Sequence, residues 1–345
     1  MARVLTWHVH GNYLLYLSRL GHELVLPVKP GRPHPYGGRS GAFPWPENVV
    51  EADASRVREL DLDLVVYQSL EAWEVDRLEL LSEEQRRLPS IYLEHDPPRE
   101  SPFDTRHPVD AATLIVHVTH FNRLAWDCGD APTAVIEHGV AVPESAVWTG
   151  ELERGLVIVN NMQSRGRRLG RDVFEDVRRR VPLDLVGMGS EELGGLGEIS
   201  PPDLPAFAAR YRFLFNPIRW TSLGLAVCEA LQVGLPVVGL ATTEMSRAIE
   251  NGVSGYVDTD VETLVGHMLR LLDDPEEARA LSEGARQAGR ERYGIERFAA
   301  AWTDLVDLLV DSAEPFPEPA PAGALASTPS CSTVSSAARS AIRRP

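Results

Sequence analysis

The chain has 345 residues, 43% hydrophobic and 24% charged. That is enough for about two globular cores, and it is unlike a disordered, collagen-like or disulfide-framework chain. Its 34 basic and 50 acidic residues leave a formal net charge of −16, which argues against nonspecific nucleic-acid or anionic-membrane binding as a main function. Lys29 is the only lysine, so any anion clamp must be built from arginine, whose planar guanidinium binds bidentately.

In chain order, short apolar runs at 4–7, 23–28, 62–67, 90–93, 114–118 and 133–136 read as buried strands. Amphipathic helices are predicted between several of them, at 14–20 and 73–85. The segment 27–48 (PVKPGRPHPYGGRSGAFPWPEN) is rich in Gly, Pro and aromatics and reads as a long functional loop. A second series of runs follows at 156–159, 183–186, 213–215, 236–240 and 255–257. Helices are predicted at 171–180, 224–233, 261–272, 275–293 and 296–310. Strands alternating with helices predict an α/β fold with parallel sheets covered on both faces. Two such series predict two doubly wound Rossmann-like domains, 1–145 and 146–311, facing across a cleft, with the last helix free to pack back on the first domain. From Ser312 to Pro345 the chain is largely Pro, Ala and Ser, which predicts a disordered, dispensable tail.

Cys128, Cys228 and Cys331 are widely spaced and form no CxxC pair. They fit a reducing compartment and argue against structural disulfides and zinc. The start of the chain does not read as a signal peptide, and the longest apolar stretch, 223–241, is broken by Glu229, Gln232, Gly234 and Pro236. The expectation is a cytoplasmic protein without a transmembrane segment.

Nicotinamide chemistry would need a GxGxxG turn after a first strand. The GxG at Gly187-Met188-Gly189 lacks the third glycine, and Glu192 stands there instead. The most informative stretch is 215–238, FNPIRWTSLGLAVCEALQVGLPVV, which reads as strand, loop, helix, glycine stop and strand. A helix starting near Ser222 would aim its free N–H groups into the preceding loop, a natural anion site. Glu229 stands two turns into this otherwise apolar helix and is expected to point at a ligand. Earlier, 159–172 (VNNMQSRGRRLGRD) sets several arginines in the loop after a strand. A solvated basic loop is the bland alternative; the net negative charge favours a diphosphate clamp. His95 ends a predicted parallel strand, where ligands bind. His8 and His10 follow the first strand, and Gly11 after them would permit close backbone approach to a ligand. A metal reading of His8 and His10 finds no carboxylate or cysteine companion.

The chain resembles the retaining GT-B glycosyltransferases of the group-1 (family 4) type. The resemblance is carried by Leu223-Gly224-Leu225, Glu229-Ala230, Gly234 and Pro236-Val237-Val238, and it continues through 247–257 (RAIENGVSGYV). It implies a sugar transfer from a nucleotide-sugar donor, with retained configuration, to a sugar, lipid-linked or small-molecule acceptor. No metal or other cofactor is implied. It places Glu229 on the donor ribose, Arg165 and Arg168 on the diphosphate, and His95 beside the donor sugar, the last three as catalytic candidates. Thr221, Ser222, Leu223, Gly224 and Gly187 join the donor-binding candidates. His8, His10, Gly11 and Thr119 (in VTHFN, 118–122) are the acceptor or loop candidates. The family's first glutamate falls at Thr221, and its clamp arginine at Asn161. A donor-binding protein without transfer activity therefore stays open, as does a sugar-nucleotide epimerase or phosphorylase on the same fold.

Overall fold

The computed structural model describes residues 1–41, 43–101 and 104–312. All but the first residue of the expected tail, 312–345, lies outside them. Among the described residues, twelve strands form two wholly parallel sheets. The first holds β1 (Arg3–Thr6), β2 (Glu23–Val28), β3 (Val49–Asp53), β4 (Leu64–Tyr67), β5 (Ser90–Glu94), β6 (Leu114–His117) and β7 (Thr133–Val135). Its spatial order is β3-β2-β1-β4-β5-β6-β7. The second holds β8 (Leu152–Ile158), β9 (Leu183–Val186), β10 (Tyr211–Asn216), β11 (Val237–Leu240) and β12 (Gly255–Asp258), in the order β12-β11-β10-β8-β9.

These orders fix where ligands can bind. In the first sheet the chain winds outward in both directions from β1 and β4; in the second it does so from β8 and β10. At such switch points the loops leaving neighbouring strands diverge and open a crevice at the strands' carboxyl ends. The central strands are buried on both faces, β4, β10 and β11 along their whole lengths, which is why they read as continuous apolar runs rather than alternating ones.

Eleven strands coincide with predicted runs. The exception is the edge strand β3, whose sequence VVEAD is buried only at Val49 and then alternates half-buried and exposed, so it lacks an apolar run. The predicted helix 73–85 is also corrected. It is a wide turn at Ala72–Asp76, one helical turn at Arg77–Leu80, and a separate short turn at Gln85–Arg87. Leu81 is extended, and Ser82 and Gln85 cap each other's backbone N–H groups, which starts the new turn.

The last helix, Ile295–Asp311, lies against the first domain. Phe298 packs edge-on to Tyr13 at 5.5 Å, and Thr303 Oγ1 accepts from Gly21 N at 3.2 Å. Phe298 and Trp302 are fully buried, and each is worth on the order of 3–5 kcal/mol relative to alanine. Gly139 makes this seat possible: a Cβ there would stand 2.1 Å from Phe298 Cβ. No helix among the described residues is long and apolar enough to cross a membrane.

Candidate functional site

Arg165 and Arg168 follow β8, one wall of the second switch point. Arg167, between them, donates to Asp172, and Arg219 holds the same carboxylate by donating from Nη1 and Nη2, at 2.5 and 2.9 Å. Arg165 and Arg168 have no carboxylate ion-pair partner among the described residues. Burial, then the positive charges of Arg165 and Arg99, press the Arg168 guanidinium below its ordinary value, with Asp96 opposing. The loop after β8 is strapped to the loop after β10, because Arg219 N and Trp220 N both donate to Arg168 O, at 3.0 and 3.2 Å. Gly170 (φ +80°) permits this approach, since a Cβ would lie 1.9 Å from Pro217 O.

The second loop, 217–224, carries Thr221, Ser222, Leu223 and Gly224. Ser222 and Leu223 are buried, while Thr221 and Gly224 are partly exposed. The helix begins at Leu225, with Gly224 as its cap and no side-chain cap bond. That corrects the start expected near Ser222 by one turn, because extended backbone at Gly224 holds the chain open. Trp220 reaches across the cleft, donating from Nε1 to Pro98 O at 2.9 Å and meeting Phe121 edge-on at 5.4 Å. Gly187 (φ +127°) turns the chain after β9 against Val159 and Asn160, beside the arginine loop.

Glu229 accepts from Tyr16 Oη at 3.0 Å, a contact between the two domains. Burial pushes its carboxyl up to about 7, with the Tyr16 hydrogen bond opposing. On the other wall, His95 follows β5 and lies edge-on to His10 at 4.4 Å and to Tyr13 at 4.8 Å. Burial, then His10 and His138, hold the His95 imidazole well below the usual range, so it is neutral at pH 7. Burial lowers His10 likewise. Asp96 opposes that shift, while His34, Arg99 and Arg165 add to it. His10 therefore lies within charge range of the arginine loop, as do Asp96 and Arg99, which pair with each other, and His95 stands behind His10.

Three acceptor candidates have other duties. His8 Nδ1 is 2.6 Å from Gly38 O, and its ring lies edge-on to Trp45 at 5.4 Å, so it anchors the loop 27–48. Gly11 is covered by the Phe43 ring, 2.7 Å from where a Cβ would stand, so its small size accommodates the loop rather than a ligand. Thr119 is buried and caps the helix His120–Ala125, accepting from Asn122 N at 3.0 Å. Glu51 holds the first part of this loop, accepting from Arg32 and from Arg39 N.

Gln68, Arg99, Trp220 and Tyr16 were not among the sequence candidates. Gln68 had a local signal, a polar residue directly after the apolar run LVVY. Tyr16 had none, because its partner is 213 residues away. Among the described residues no group of three or more His, Cys, Asp or Glu converges as metal ligands.

Residues 155–274 match the family model described as Glycosyl transferases group 1. A trehalose synthase of Pyrococcus horikoshii is 26% identical over 139 residues, 40% of this chain and 31% of that protein. A trehalose phosphorylase of Pleurotus pulmonarius is 36% identical over 78 residues, 22% of this chain and 11% of that one. The chain thus spans less than a third of either relative. Among solved structures, Anabaena HepE in complex with UDP-glucose superposes with a TM-score of 0.67 at 14% identity, over 89% of this chain and 100% of that one. Sucrose-phosphate synthase from Thermosynechococcus elongatus gives 0.66 at 14% identity, over 91% and 100%. Residues 155–274 form a group 1 glycosyl transferase domain, set in a chain with the two-domain GT-B fold.

Proposed function

We propose that this protein is a glycosyltransferase that moves a sugar from a UDP-sugar donor to a hydroxyl acceptor with retention of configuration. The observation carrying the proposal is the arginine pair, Arg165 and Arg168, which lacks carboxylate partners among the described residues, with Arg165 close enough to act on His10, itself edge-on to His95 at 4.4 Å. Residues 146–311 hold the donor, and residues 1–145 present the acceptor. The arginines stabilise the negative charge that grows on the departing diphosphate. Glu229 accepts from the ribose hydroxyls, in place of or beside Tyr16. In retaining transfer the acceptor enters on the face from which the diphosphate leaves, so a diphosphate oxygen takes the acceptor proton. His95 and His10 orient sugar hydroxyls, and orientation supplies the remainder of the rate. UDP as the nucleotide is supported by the solved relative carrying UDP-glucose. A panel of nucleotide sugars tests the reading: UDP release with UDP-glucose or a related donor is expected, and no release or binding across the panel overturns it.

The arginines make a divalent metal unnecessary. Chelator is expected to leave turnover unchanged; loss of activity restored by magnesium or manganese contradicts this.

A second reading, donor binding without transfer, is favoured by Thr221, which puts no carboxylate at the family's first glutamate position. Thr221→Glu separates the two. In an active transferase, negative charge near the diphosphate lowers turnover, or at best leaves it unchanged. In a binder, the restored carboxylate raises transfer or hydrolysis from near zero. Steady-state release of UDP from UDP-glucose reads the sign.

A further inference from the structure

We propose that Gln68 is a positioning residue: it fixes His95 as the Nε2–H tautomer, so that His95 meets its substrate through Nδ1 as a hydrogen-bond acceptor. The proposal rests on reading the cleft as a sugar-transfer site and adds the direction of one hydrogen bond within it.

The polarity of the network is determined link by link. Gln68 is buried, 5% exposed, just past the end of β4. Its Nε2 lies 3.0 Å from Trp7 O and 2.8 Å from Thr6 Oγ1. A backbone carbonyl only accepts, so the amide nitrogen, not the oxygen, faces Trp7. Thr6 Oγ1 donates its one hydrogen to Val66 O at 3.0 Å, and can therefore only accept from Gln68. Both amide hydrogens are thus engaged. The remaining polar atom, Oε1, stands 3.1 Å from His95 Nε2. An amide oxygen only accepts, so the hydrogen belongs to His95 Nε2. The opposite tautomer would set two lone pairs against each other beside a buried amide.

The consequence lies at Nδ1. Among the described residues the rings packed on it, His10 and Tyr13, carry no carboxylate, and burial first, then His10 and His138, favours the neutral imidazole. A neutral ring whose outward nitrogen bears a lone pair suits an O–H donor and repels a phosphate oxygen. The two walls of the cleft therefore divide the substrate: the arginines take the diphosphate, and His95 takes a sugar hydroxyl. The network joins residues at the ends of β1, β4 and β5, three adjacent strands, so the ring is held by the sheet rather than by a loop.

Nitrogen-15 spectra of histidine-labelled, ligand-free protein near neutral pH test this directly, with His95 assigned by its absence in His95→Gln. The expected wild-type pattern is a protonated Nε2 and an unprotonated Nδ1; the reverse pattern overturns the proposal. Gln68→Leu is expected to put His95 into tautomer exchange, and wild-type shifts in that variant also overturn it. Gln68→Glu keeps an acceptor for His95 but loses both donors to Thr6 and Trp7. It is expected to retain Nε2–H, whereas a purely structural role for Gln68 would make the two variants alike. Adding UDP-glucose should then shift Nδ1, and UDP alone should not. Gln68→Leu should lower kcat about tenfold with little change in KM. Because the tautomer is read without ligand, its failure is distinct from failure of the transferase reading, which an absence of nucleotide release would show.

Discussion

Replacing both Arg165 and Arg168 by alanine is expected to weaken UDP binding by about a hundredfold to a thousandfold or more. Each charge-assisted hydrogen bond is worth on the order of 1.5–3 kcal/mol. Affinity for uridine, which lacks the diphosphate, should barely change. The contrast arises because Arg167 and Arg219 are already engaged with the Asp172 carboxylate they share, while this pair has no carboxylate partner among the described residues. Arg167→Ala is therefore the natural control and should be nearly silent toward UDP. Calorimetry with UDP and uridine reads the difference. Equal losses for both ligands would assign the arginines to folding or to a base contact, and an effect of Arg167→Ala as large as that of the pair would dissolve the distinction.

Glu229→Gln is expected to change stability and binding in opposite directions. Burial raises the Glu229 carboxyl from 4.5 to about 7, so the folded state holds its proton where the unfolded chain has lost it. Folded protein then binds more protons than unfolded protein between about pH 4.5 and 7, and stability falls as pH rises through that window. Below the window both states are protonated and there is no penalty; above it the full penalty applies. Glutamine accepts the Tyr16 hydrogen bond without ionising. The variant should match the wild type near pH 4.5 and exceed it near pH 8, by an amount on the order of 2–3 kcal/mol. Donor affinity should move the other way. An ionised carboxylate is the stronger ribose acceptor, so wild-type affinity for UDP-glucose should rise through pH 7, and the variant should lose both that rise and most of the affinity gained from it. Melting curves across pH, paired with calorimetry, test both halves. A pH-independent stability difference would show that Glu229 is not desolvated, and unchanged donor affinity in the folded variant would remove it from the site.

How much of this was legible in the sequence follows from how local each signal is. Parallel strands buried on both faces must be apolar along their whole length, so β4, β10 and β11 announced themselves. The edge strand β3 is half exposed and did not. Motif residues such as Glu229, Arg165 and Arg168 stand at fixed offsets from a strand end or a glycine stop. Their sequence context therefore places the two arginines in the loop after a strand and Glu229 in the helix that follows another, whatever the rest of the chain does.

Partnerships belong to the tertiary structure. Three arginines in four positions look alike in the sequence, and only the fold brings Asp172 to Arg167 and Arg219 while leaving Arg165 and Arg168 to the cleft. His8, Gly11 and Thr119 sit at strand ends as ligand residues do, yet the loop 27–48 and a helix terminus claim them. The Tyr16 contact that caps Glu229 and the Gln68 amide that orients His95 join residues 213 and 27 positions apart. A hydrogen bond acts over about 3 Å, so its partner is chosen by the packing of sheets rather than by order along the chain. Apolar runs and the turn residues between them are local signals, and they set the two parallel sheets and the strand ends where chemistry can occur. Which side chains at those ends remain available to a ligand, and in what protonation state, only the packing of the two domains decided.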